Sequence, residues 1–120
     1  MIRGCLRLAE NNHCIIPRVS RTSNMLERMK GLLGSPPPAA GEGLLIKPCS
    51  SVHTFAMQYP IDLIFIDNQW KVIKTVSKLK PWRFAAALAA GMVLEMREGS
   101  LEQLQLETGQ QLEWQDETLQ

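Results

Sequence analysis

Residues 49–62 gather more reactive and ligating side chains than any other stretch of the chain: Cys49, His53, Met57, Tyr59 and Asp62, with Thr54, Phe55 and Gln58 between them. Three kinds of chemistry fit. The first is nucleophilic: a thiol attacks as its thiolate, so Cys49 with His53 as base and Asp62 as orienting group would form a catalytic set. The Cys49-x-x-x-His53 spacing is not itself a signature, because catalytic cysteine–histidine pairs usually come from distant parts of a chain. The second is soft-metal binding, since thiolate, imidazole and thioether from Cys49, His53 and Met57 suit copper(I) or zinc. An extended strand would spread that set over roughly 26 Å, so one ion would demand a bend. The third is a pocket. A strand over residues 53–59 puts His53, Phe55, Met57 and Tyr59 on one face, an apolar wall with Thr54, Gln58 and Asp62 as polar anchors.

Each reading competes with a plainer one. Cys49 can be a small buried hydrophobe, Met57 a core filler, and His53 a hydrogen-bonded core residue. Asp62 is harder to dismiss. It interrupts the run Ile61-Asp62-Leu63-Ile64-Phe65-Ile66, where a carboxylate costs free energy unless it is paired or hydrogen-bonded. It therefore serves a purpose, which can be structural.

A second constellation is basic. Residues 68–94 contain no acidic side chain but hold Lys71, Lys74, Lys78, Lys80 and Arg83, bracketed by Trp70 and Trp82. Basic residues interleaved with aromatics can stack bases and neutralise phosphates. Here alternation puts lysines on both faces of a strand over residues 71–76, which instead suits a charge-protected sheet edge. With a net charge of +1, the chain is not expected to bind nucleic acid. Leu79-Lys80-Pro81-Trp82-Arg83 reads as a loop clamped by its tryptophan, so Trp82 joins His53, Phe55, Met57 and Asp62 as a candidate binding residue.

The elements that must position these groups are short. Residues 4–8 and 14–16 read as a hairpin across Glu10-Asn11-Asn12, with Pro17 marking an edge or an end. Thr22, Ser23 and Asn24 offer caps for a helix carrying Met25, Leu26, Met29, Leu32 and Leu33 at helical spacing, stopped by Gly31 or Gly34. The proline-rich residues 35–43 form a loop. Residues 44–46, 61–66, 71–76, 92–96 and 111–115 read as strands. Residues 79–90 are ambiguous, their alanines favouring helix between Pro81 and Gly91. Ser100 can cap a short helix over residues 101–106. The helices are too few for alternating β-α-β units. The expected class is α+β: a β-rich mixed or antiparallel sheet, or a small barrel, with one main helix and one short helix.

The 120 residues suit one domain with an ordinary core. Cys5, Cys14 and Cys49 match no disulfide or zinc framework, which points to free thiols in a reducing compartment. No apolar run approaches the ~18 residues of a membrane helix, and residues 1–10 lack a signal-peptide core. A cytoplasmic protein that does not engage membranes is expected.

Several segments together resemble the family called domain of unknown function 192. They are Glu27-Arg28-Met29-Lys30-Gly31-Leu32-Leu33-Gly34, then Gly43-Leu44-Leu45-Ile46, then residues 49–67 around His53-Thr54-Phe55-Ala56-Met57 and Pro60-Ile61-Asp62. Leu79-Lys80-Pro81-Trp82-Arg83, Val93-Leu94-Glu95, Gly99 and Gly109 follow in order. The resemblance spans residues 22–112 and implies a compact β-rich α+β domain; it implies no activity and no cofactor. The family often has Gly where Trp70 stands and a basic residue where Gln58 stands. The function expected first is therefore non-catalytic binding of a small molecule or protein partner around residues 53–62. An enzyme using Cys49, His53 and Asp62, and a copper or zinc protein, stay open as alternatives.

Overall fold

The computed structural model describes residues 1–117. Seven strands form one mixed sheet. The chain enters with an antiparallel hairpin, β1 (Ile2–Leu8) and β2 (Cys14–Arg21). It crosses through α1 (Met25–Lys30) to β3 (Glu42–Ile46), which lies parallel to β2. After a short strand, β4 (Ser51–His53), come β5 (Ile61–Ile66) and β6 (Val72–Leu79). A second short strand, β7 (Phe84–Ala86), pairs with β4 in a separate ribbon. Then follow β8 (Met92–Arg97), α2 (Ser100–Leu104) and β9 (Leu112–Asp116). The order across the large sheet is β6-β5-β8-β3-β2-β1-β9.

The sheet curls until its two edges touch. Lys71 bridges Gln111, and the Leu112 amide donates to the Trp70 carbonyl at 2.8 Å. The result is a half-barrel, between the open sheet and the closed barrel the sequence allowed. Its concave side is filled from all seven strands, by residues such as Leu6, Ile16, Leu45, Ile64, Leu94 and Leu112. The β4–β7 ribbon covers part of the convex side, where Val52 and Ala85 pack on Ile61, Leu63, Phe65 and Val93. Strand β5 is buried at every position, which explains why its sequence is a nearly unbroken apolar run instead of an alternation.

Several local expectations need correction. Pro17 lies inside β2, an interior strand. The register slips between the Gly4–Val19 and Leu6–Ile16 pairs, so a bulge accommodates the residue that lacks an N–H. Residues 79–90 form no helix, because β7 is captured by β4 and tertiary pairing overrides alanine propensity. The second helix begins at Ser100, whose hydroxyl donates to the Arg97 carbonyl instead of capping. Helix α1 is capped by Asn24, whose side chain accepts from the Glu27 amide, while Glu27 accepts in return from Ser23, and it ends at Gly31. No residue of α1 is buried. Its periodic Met25, Leu26 and Met29 face solvent, Leu26 at 78% exposure. Trp70 takes φ 66°, the left-handed region where glycine is at ease, at the position where the resembled family often has glycine. Its ring stacks on Trp114 at 6.4 Å between centroids.

Candidate functional site

The stretch expected as one strand over residues 53–59 is instead a strand end followed by a tight turn. Strand β4 stops at His53, and Ala56 takes φ 63°. The turn is held by Thr54, which is fully buried. Its hydroxyl donates to the Lys80 carbonyl at 2.6 Å and accepts from the Arg83 amide at 2.9 Å. Its backbone also pairs with Trp82 and Arg83. Thr54 is thus the clamp of the 79–83 loop, not a pocket anchor. Phe55 is turned outward at 48% exposure and stacks on Trp82, with centroids 5.8 Å apart. On its other side lies His53 at 5.0 Å.

Asp62 belongs to the opposite face of the sheet. Along β5, Ile61, Leu63 and Phe65 face the convex cluster, whereas Ile64 and Ile66 face the concave one; Asp62 alternates with the latter. It is fully buried. One carboxylate oxygen accepts from the Lys78 amide at 2.8 Å, the other from the Leu101 amide at 2.9 Å. Lys78 sits at a bulge with φ 53°. Gly99, the cap residue of α2, supplies no side-chain bond. Asp62 therefore caps α2 from a distant strand and fixes the β6 bulge in the same contact.

A cavity of about 90 Å³ opens on the convex face between the end of α1 and the turn after β4. Cys49, His53, Phe55 and Met57 line it; Asp62 and Trp82 do not, although Trp82 supports Phe55 from outside. Cys49, His53 and Met57 all line this one cavity, Met57 following the turn at Ala56. Cys49 is held as a thiol. Its Sγ donates to the Ser51 carbonyl at 3.0 Å; burial pushes its pKa up, the Ser51 backbone offsets part of that rise, and the nearby carboxylate of Glu95 adds to it.

Glu95, on β8, is the residue the reading of the sequence did not single out as a site. It lies between Leu44 of β3 and Leu63 of β5 in the sheet register, is 4% exposed and lines the cavity. Its Oε1 is buried without a hydrogen-bond partner. Burial raises its pKa to about 7, and the Leu32 backbone amide offsets part of that rise. A signal was present: Val93-Leu94-Glu95-Met96 interrupts an apolar run with an acid, just as Asp62 does. The roof above it is Gly31, where an added Cβ would lie 3.3 Å from Oε1. Arg28 and Lys30, from the last turn of α1, also line the cavity.

A larger recess of about 650 Å³ lies beside Pro36-Pro37-Pro38 and the first two strands. Its wall includes Glu117, the last described residue, and neither of the buried unpartnered polar atoms among the described residues faces it. Among the described residues, no group of three His, Cys, Asp or Glu side chains is placed to hold a metal ion, and no helix is long and apolar enough to cross a membrane.

A protein of unknown function from Novosphingobium aromaticivorans DSM 12444 shares the fold with a TM-score of 0.70 and 22% identity, over 93% of this chain and 84% of that one. So does a protein from Sinorhizobium meliloti 1021, provisionally named a transcription regulator, with a TM-score of 0.78 and 20% identity over 94% and 92%. Among curated relatives, a UPF0127 protein of Pyrococcus furiosus is 38% identical over 66 residues, 54% of this chain and 56% of that protein. A UPF0127 protein of Pyrococcus abyssi is 36% identical over the same shares. The chain spans about half the length of these curated relatives. A family model described as DUF192, Uncharacterized ACR, matches residues 7–114, and the chain belongs to this family.

Proposed function

We propose that this is a non-catalytic binding domain whose site is the cavity over Glu95. One observation carries the reading: a buried carboxylate, one oxygen of which has no hydrogen-bond partner, belongs to the wall of a cavity of mixed polar and apolar lining. Leaving such a group unsatisfied costs free energy, and a ligand that supplies a donor recovers it. His53, Phe55 and Met57 form the lip and wall of this site. Asp62 supports it from the far face of the sheet by fixing β6 and α2, and Trp82 supports Phe55.

The alternative of a Cys49–His53–Asp62 enzyme draws less support. Both Asp62 oxygens accept from backbone amides on the other face, and Cys49 is a hydrogen-bonded thiol with a raised pKa. That raised pKa also disfavours the thiolate a copper or zinc site would use.

A fragment screen read by the amide resonances of the labelled protein tests the reading. Hits should converge on Gly31, Leu32, Cys49 and Glu95. A screen without hits, or with hits confined to other surfaces, would overturn it.

A further inference from the structure

We infer that the cavity accepts a small zwitterion of the amino-acid class, with its ammonium group on Glu95 and its carboxylate toward Arg28 and Lys30. This rests on the reading of the cavity as a binding site and names what enters it.

The argument begins with charge. Glu95 is the one carboxylate lining the cavity, and its Oε1 is buried without a hydrogen-bond partner. Arg28 and Lys30 line the same space, and neither forms an ion pair among the described residues. A simple amine would meet Glu95 favourably but be repelled by two cations. A simple carboxylate would suit the cations but face Glu95. A molecule carrying both charges satisfies both ends.

Distance and size agree. Gly31 roofs Glu95, and Arg28 is three residues earlier. At about 1.5 Å of rise per residue, their backbones lie within roughly 5 Å along the helix axis. A cavity of about 90 Å³ has room for only a few non-hydrogen atoms. Ile46, Val52 and Met57 give a short aliphatic side chain an apolar surface.

The test is a titration of the labelled protein at pH 8, followed through its amide spectrum, with L-alanine, ethylamine, propionate and propionamide. L-Alanine should shift Gly31, Leu32 and Cys49 saturably, and ethylamine and propionate should bind at least about tenfold more weakly. Glu95→Gln, folded by its unchanged spectrum elsewhere, should lose the L-alanine response. Arg28→Gln with Lys30→Gln should weaken L-alanine but not ethylamine. If propionamide or either singly charged probe binds these residues as tightly as L-alanine, the zwitterion assignment falls while the cavity stands as a binding site. If none of the four moves these resonances, the assignment also falls, and the fragment screen alone decides whether the cavity binds anything.

Discussion

Gly31 closes α1 directly over Glu95: its missing Cβ would sit 3.3 Å from the carboxylate Oε1 and 3.6 Å from Ile46 Cδ1. The glycine is required twice, once for φ 52° with ψ −130° and once for the close approach. Gly31→Ala should destabilise the fold by roughly 1–3 kcal/mol. Denaturant unfolding measures this; an unchanged midpoint would show that α1 can end differently without cost.

Glu95 should make stability pH-dependent in a defined window. Its folded-state pKa, about 7, is above the ordinary value of 4.5, so the folded state binds the proton more tightly than the unfolded chain. Stability therefore falls as pH rises from about 4.5 to about 7 and then levels off, by about 3 kcal/mol in all. The other ionisable groups lining the cavity are Arg28, Lys30, Cys49 and His53, and Tyr59 lies near enough to feel the Glu95 charge. Glu95→Gln should remove this part of the slope and raise the melting temperature at pH 8. A mutant with the parent's pH profile would contradict the assignment.

Asp62→Ala should cost about 1–3 kcal/mol, because it strips the Lys78 and Leu101 amides of their acceptor in a partly buried contact. Amide exchange at these two positions should accelerate first. Equal loss of protection across the whole sheet would argue against a local tie between β6 and α2.

Thr54→Val keeps the shape but removes the hydroxyl that holds the Lys80 carbonyl and the Arg83 amide. A loss of about 1–3 kcal/mol is expected. Trp82 fluorescence should report the loosened loop, against a background of Trp70 and Trp114 held constant in both proteins. Identical emission and stability would mean that the backbone pairing alone fixes the turn.

Alkylation of Cys49 should be slow near neutral pH and rise only above the ordinary thiol range, since burial and the nearby Glu95 both raise its pKa and the thiolate is the reactive form. Peptide mapping of the alkylated protein across a pH series, with His53→Ala alongside, reads this at Cys49 separately from Cys5 and Cys14. Fast alkylation near neutral pH that disappears in His53→Ala would revive a cysteine–histidine pair.

Local chemistry in the sequence was enough to place much of this molecule. The apolar run at residues 61–66 announced a central strand, since only burial on both faces tolerates it. The turn that joins the strands read at residues 61–66 and 71–76 is a local one, the Asp67 side chain accepting from the Gln69 and Lys71 amides within its own loop. Lysines on both faces marked β6 as an edge strand, and an acid inside β5 had to be serving something. These are short-range rules, and each is written in neighbouring residues.

Other features depended on which segments meet. The periodicity of α1 predicted a buried face, but the helix lies where its methionines and Leu26 remain outside. Thr54 became a clamp because β7 lies against β4. Asp62 was expected beside Cys49 and His53 and instead meets Lys78 and Leu101, because alternation along β5 turns it away from the cavity. Glu95 looked like an ordinary strand acid until β3, β5 and α1 enclosed it. Burial and desolvation are properties of the assembled neighbours, so the sequence determined which groups could be costly, and only the tertiary structure decided which one faces the cavity.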